Sequence, residues 1–300
     1  MIGRMIPLLQ AAEQAQGEGI DIGEIMMHHL TDSREIELPW GVWHLPQWEP
    51  VQLGPLVVDF SPTKHVVFML LAAVLVAVVM ILAARGAAKT RREGEGRGPK
   101  GLANVMEAFI LFLRDEVAMP NIGPGGERFL PFVITLFFFI LFTNLLGLVP
   151  WGATATGNIS VTAALAVLSF VAIEVAGMIS LGWKGYLGTI FYAPKGMGPV
   201  GRGLMMLIMT PVEFLGKFTK PFALAIRLFA NMNAGHFIVL ALVGLILLAM
   251  QTASIAAVSA IGPLLMTVMV MVLELFVAFL QAYVFTMLTS GFIGLIRHSH

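Results

Sequence analysis

Arg227, His236, Glu274 and Gln281 are the residues whose chemistry stands out, because nearly everything around them is apolar. The first two lie in the stretch Lys220-Pro221-Phe222-Ala223-Leu224-Ala225-Ile226-Arg227-Leu228-Phe229-Ala230-Asn231-Met232-Asn233-Ala234-Gly235-His236. An arginine cannot shed its charge, and insertion scales put about 2.5–3.5 kcal/mol on placing one at the centre of a bilayer. Such a side chain is kept where it faces protein or a wet cavity and meets a partner. On a helix, Ala223, Arg227, Ala230, Asn231 and Ala234 share one face. Small residues beside a charge let another helix approach closely. The competing reading, an arginine snorkelling to a headgroup, fits less well because the apolar run continues well past it.

The spacing of these groups places them further. The polar break Gln251-Thr252-Ala253-Ser254 divides two long apolar stretches, which read as an antiparallel hairpin. Residues equidistant from the break then lie at one depth. Arg227 and Gln281 are equidistant from Ser254, and His236 and Glu274 from Ile255. Two polar levels are expected, Arg/Gln nearer the cytoplasm and His/Glu nearer the outside. At about 100° per residue, His236 points away from Arg227 whereas Asn231 stays close to it. A histidine beside a carboxylate takes up and releases protons near neutrality, the make-up of an intramembrane relay. Arg227 can only hold or repel charge. The plainer alternative is a His–Glu pair that merely ties the hairpin together. Glu213 is the remaining acid of the first stretch.

The elements that must position these groups follow from composition. Of 300 residues, 58% are hydrophobic and 12% charged, against about 25% charged in soluble domains. Mean hydropathy is +0.86. An all-α, multi-pass membrane protein is expected. Eighteen basic and eighteen acidic residues cancel, which gives no reason to expect nucleic acid as a partner. The absence of cysteine excludes disulfides, iron–sulfur clusters and thiolate zinc sites. His28 and His29 do not share a helix face, so no metal site is expected. The Gly-rich run before Lys100 is no P-loop, since Pro99 precedes the lysine and Gly101 follows it. No cofactor is expected.

Taken in order, residues 1–60 form an N-terminal extracytoplasmic segment, with Trp40, Trp43 and Trp48 suited to a headgroup layer. Residues 61–101 hold the first transmembrane helix and a basic loop with Arg85, Lys89, Arg91, Arg92, Arg97 and Lys100. The positive-inside rule puts that loop in the cytoplasm, the N-terminus outside and the C-terminus inside. Residues 102–120, with Glu107, Arg114, Asp115 and Glu116, read as an amphipathic interfacial helix rather than a span. Residues 128–183 hold the second and third transmembrane helices. Glu174, near the inner end of the third, either lines an aqueous path or pairs with Lys184 or a headgroup. Residues 203–300 form the long hairpin, kinked at Pro211, Pro221 and Pro263. Its second arm would run roughly 60 Å at 1.5 Å per residue against a core of about 30 Å, so a steep tilt is expected. Five spans result, with no internal repeat.

These stretches resemble subunit a of the F-type ATP synthase membrane sector. The likeness is carried by Lys220-Pro221 through Arg227-Leu228-Phe229-Ala230-Asn231-Met232-Asn233-Ala234-Gly235-His236, and by Glu274 with Leu280-Gln281-Ala282-Tyr283-Val284-Phe285. Asn144-Leu145-Leu146-Gly147-Leu148-Val149-Pro150 and Asn158-Ile159-Ser160-Val161-Thr162 resemble the family's earlier spans. The resemblance implies a stator, not an enzyme by itself, in a bacterial plasma membrane. Its partners would be a ring of c subunits, the peripheral stalk of subunit b, the remaining synthase subunits, lipid, and protons or sodium ions. Arg227 matches the arginine that meets the ring's carboxylates. Asn231, Gln281 and Glu213 match polar positions of the access paths. His236 and Glu274 match a coupled pair that some members carry in reverse order, and Gly147 stands where some members carry a carboxylate. The runner-up is a stand-alone secondary transporter or ion channel with Arg227 on an anionic substrate, for which the missing repeat speaks poorly.

Overall fold

The computed structural model describes residues 31–38, 40–54, 56–59, 61–92, 100–149, 152–191, 198–251 and 256–298. His28, His29, Lys195 and the residues of the break after Gln251 lie outside that set. The described chain is almost wholly helical. Its longer helices are α1 (Lys64–Arg92), α2 (Leu102–Phe112), α3 (Leu130–Gly147), α4 (Ile159–Ile190), α5 (Pro199–Gln251) and α6 (Ala256–Arg297). Among the described residues, five segments are long and apolar enough to cross a membrane: Lys64–Thr90, Gly126–Gly147, Ile159–Ile190, Gly203–Ile246 and Ile261–Arg297. This is an all-α membrane protein.

Two short hairpins precede α1. Strands β1 (Glu35–Leu38) and β2 (Gly41–His44) pair antiparallel, as do β3 (Val51–Leu53) and β4 (Leu56–Val58). Glu35 faces His44 across the first, 3.2 Å apart, as cross-strand partners should. Trp40, Trp43 and Trp48 are all exposed.

α2 buries Ala103 and Met106 and exposes Leu102 and Val105. It widens into a π-helical turn over Leu113–Ala118, where Leu113, Val117 and Ala118 are buried. This turn accommodates Arg114, Asp115 and Glu116 among the apolar contacts without burying them. α4 continues beyond the span expected from sequence. Gly182, at φ 70° and ψ 169°, breaks its helical geometry, a conformation open to a residue without Cβ.

Backbone contacts divide the chain into two compact units. The first comprises Met1–Ala72, so far as described, with Thr143–Asn158 and Ala230–Ala278. The second comprises Ala73–Phe142, Ile159–Phe229 and Phe279–His300. The second has a core of Ala118, Ile122, Val133, Ile173, Ala176 and Ile293, closed by Phe129, Phe132 and Phe292. Arg297 fastens the end of α6 there, donating to the carbonyls of Ile122 at 3.0 Å and Pro124 at 2.8 Å and to Ser180 at 3.0 Å. A basic residue in the last turn of a helix is also favoured by the helix dipole.

Candidate functional site

Within the first unit, α5 and α6 bring His236 and Glu274 together. Nδ1 of His236 lies 3.8 Å from Oε1 of Glu274, whose side chain is 8% exposed. That is too long for a direct hydrogen bond, and short enough for a small rotamer change or one water to carry a proton across. The other ring nitrogen, Nε2, shares a hydrogen bond with Thr154 Oγ1 at 2.5 Å. One imidazole nitrogen is thus hydrogen-bonded to a hydroxyl, and the other faces a buried carboxyl oxygen that has no hydrogen-bond partner among the described residues. Gly235 makes the approach possible, since a Cβ there would run into the Glu274 carboxyl.

The turn that supplies Thr154 is itself knitted into this unit. Asn144 is fully buried, donating to the Ala278 carbonyl at 3.2 Å and accepting from Thr156 Oγ1 at 2.7 Å. Asn233 donates to the Gly157 carbonyl at 3.0 Å. Thr154 also fills the space beside Gly147, where an added Cβ would collide with it. A carboxylate at position 147 and a threonine so placed at 154 exclude one another. Sequence reasoning missed Thr154, because its contact crosses 82 residues and no local pattern announces it.

Arg227, in the second unit, has a different setting. Leu224, Ala225, Leu228 and Met232 on one side of α5 are buried. Ala223, Arg227, Ala230, Asn231 and Ala234 are all exposed. Among the described residues Arg227 has no ion-pair or hydrogen-bond partner. Gln281 is buried at 6% exposure, and no hydrogen bond joins it to Arg227. Glu213 is exposed on α5.

Glu174 corrects a sequence expectation. Lys184 is exposed and does not pair with it. The partners are Lys217, whose Nζ donates to Oε2 at 2.9 Å, and the Tyr186 hydroxyl, which donates to the same oxygen. The break at Gly182 lets the end of α4 place Tyr186 against Glu174, and the ring also lies under Lys217 Nζ at 4.4 Å. Lys217 and Glu174 are 13% and 12% exposed, a nearly buried ion pair satisfied by a third polar group.

Among the described residues, five segments long and apolar enough to cross a membrane define a multi-pass membrane protein. A family model described as ATP synthase A chain matches residues 66–294. ATP synthase subunit a 2 of Chlorobaculum tepidum is 44% identical over 294 residues, covering 96% of this chain and 78% of the relative. ATP synthase subunit a of Anaeromyxobacter dehalogenans (strain 2CP-C) is 44% identical over 304 residues, covering 96% and 74%. That of Pelodictyon phaeoclathratiforme is 44% identical over 291 residues, covering 96% and 80%. The chain belongs to the ATP synthase subunit a family, and so is a membrane subunit of an F-type ATP synthase rather than a nucleotide-binding one.

Proposed function

We propose that this subunit is the stator past which protons drive a ring of c subunits, with Arg227 as the charge that meets each ring carboxylate. The observation that carries the reading is the open stripe around Arg227. A permanent cation stands among alanines on an exposed face while the opposite face of the same helix is buried. An unpaired charge at membrane depth is expensive unless something outside the chain answers it. A ring of helices bearing carboxylates has the shape and the sign to do so.

The path follows. Protons enter from the extracytoplasmic side, pass Thr154 to Nε2 of His236, leave from Nδ1 to Glu274, and reach a ring carboxylate. They ride the ring and depart to the cytoplasm past Gln281 and Glu213, with Asn231 beside the arginine. Arg227 keeps the two routes apart. A ring carboxylate passes it only as a paired anion, and enters lipid only as a neutral acid. Each charge crossing 100 mV yields about 2.3 kcal/mol, so several crossings are summed by rotation for each ATP. The basic residues Arg85, Lys89, Arg91 and Arg92, which lie in the last turns of α1 rather than in a loop, support a cytoplasmic end for that helix, and hence an N-terminus outside and a C-terminus inside a bacterial plasma membrane. Subunit b of the peripheral stalk and the remaining synthase subunits hold the stator still.

The test is Arg227→Ala in the whole complex in inverted membrane vesicles. ATP-driven proton pumping is expected to fall to background while a ring of small hairpin subunits still co-purifies. Undiminished pumping overturns the assignment.

A further inference from the structure

His65 is an ionisable group that the path above does not use. It occupies the second residue of α1 and is 4% exposed. Its Nδ1 lies 2.7 Å from Oδ1 of Asp32, whose side chain is 29% exposed. The second Asp32 oxygen accepts from Asn158 Nδ2 at 3.0 Å. Asn158 ends the same short turn that begins at Thr154, the residue hydrogen-bonded to His236. One five-residue segment thus touches both pairs. His65 and His236 are also near enough for the charge of one to act on the other.

We propose that Asp32 and His65 form the outer proton-collecting pair of this subunit, feeding the Thr154–His236–Glu274 relay. The inference rests on the reading that protons enter past His236. Exposure falls from Asp32 to His65, so the carboxylate meets water and the imidazole stands behind it. A proton taken up by the carboxylate or the imidazole is released again toward His236, and the pair returns to its starting charge. No bond other than those to hydrogen changes.

Supply is the reason such a pair is useful. With a diffusion-limited encounter constant of about 10⁹–10¹⁰ M⁻¹ s⁻¹, a single group at about pH 8 meets a free proton only about 10–100 times a second. A partly exposed carboxylate backed by a histidine also exchanges protons with dissolved buffer, which is far more abundant. The charges around His65 among the described residues are few. Lys64 adjoins it, Asp32 faces it, and His236 lies within electrostatic reach. Arg34 and Asp59 are engaged with each other. Burial alone would raise Asp32, but the close approach of the His65 ring outweighs burial and holds the carboxyl below its ordinary value. The charged form of the carboxyl is therefore favoured, and its negative charge draws protons toward the imidazole behind it.

The experiment uses the intact synthase in liposomes, with ATP synthesis driven from the His65 side at several pH values on that side. His65→Gln keeps a donor for Asp32 but does not titrate. It is expected to slow synthesis about 3–10-fold at about pH 8, with the deficit narrowing toward pH 5.5 and shrinking when the outer buffer is concentrated. Asp32→Asn should shift the profile in the same direction by a smaller factor. A pH-independent deficit, or none, would mean a structural clamp and overturns the proposal. Should His65→Gln not assemble, Asp32→Asn decides by the same criterion. If the unaltered complex shows no acid-driven synthesis at all, it is the parent reading that fails, and the two failures are thereby distinguished.

Discussion

His236 and Arg227 lie nine residues apart on α5, and the chain equips them oppositely. His236 is held by a threonine on one nitrogen and approached by a glutamate on the other, inside a unit where Asn144, Thr156 and Asn233 fix the surrounding turn. Arg227 has bare alanines for neighbours and no described partner. A group that passes protons along must have both its donors and acceptors positioned in advance. A group that answers a moving charge must have its own coordination left open. On the function proposed above, the difference separates what this subunit supplies alone from what it supplies to a contact with another.

The sharpest way to break the comparison is at the open site. Arg227→Ala should remove transport to background, a loss of at least about 100-fold or about 2.7 kcal/mol in barrier terms. Arg227→Lys keeps the charge but loses the planar fork suited to carboxylates, and should recover no more than a small fraction in the same vesicle assay. At the closed site the effect should be smaller and repairable. His236→Glu and Glu274→His singly are expected to slow pumping about tenfold, and the double exchange to run faster than either. A double variant no better than the worse single would show that the pair is not coupled.

The Glu174–Lys217–Tyr186 group gives a third test, since it too is saturated from within the chain. Removing one partner of a nearly buried pair costs about 3–5 kcal/mol, whereas replacing both with apolar residues of similar volume is often neutral. Glu174→Gln should lower the melting temperature of the purified complex in detergent, and Glu174→Leu with Lys217→Met should restore most of it. A melting temperature unmoved by Glu174→Gln would make this pair ornamental.

The sequence made the open site and the overall class readable because both depend on local pattern. Hydropathy marks five spans, and the alanine spacing around Arg227 marks a face. Equal distance from the break at Gln251–Ser254 suffices to pair His236 with Glu274, because an antiparallel hairpin has one simple register. The same arithmetic pairs Arg227 with Gln281, yet no hydrogen bond joins them and one is exposed while the other is buried. Depth is additive along a helix, but facing is not, and burial depends on neighbours that the arithmetic ignores. For Glu174 the sequence offers an aqueous path, Lys184 or a headgroup. Its actual partner comes from 43 residues away, and the bend at Gly182 that makes room for Tyr186 is a backbone event with no hydropathy signature. Thr154 and the Asp32–His65 pair are likewise long-range contacts between short polar residues. The hairpin Glu35–His44 was legible in principle, from the alternation of Glu-Ile-Glu-Leu and the Pro-Trp-Gly turn before Val42.

The smallest effect separates the relay from the helix that carries it. Gly216 and Gly235 both lie on α5, and alanine at either should favour the helix by about 0.8–1.0 kcal/mol. At Gly216 a Cβ meets nothing within 4 Å, so Gly216→Ala should leave pumping unchanged and raise stability slightly. At Gly235 it would run into the Glu274 carboxyl, with Cγ only 2.8 Å from the new carbon. The carboxyl must then leave its present position beside His236, and pumping should drop a few-fold although assembly and melting are no worse. Because both changes add the same methyl to the same helix, any difference between them reports the His236–Glu274 distance rather than helix stability. Equal rates in the two variants would mean that proton transfer tolerates that displacement, and the closed site would lose its claim to being positioned for a relay.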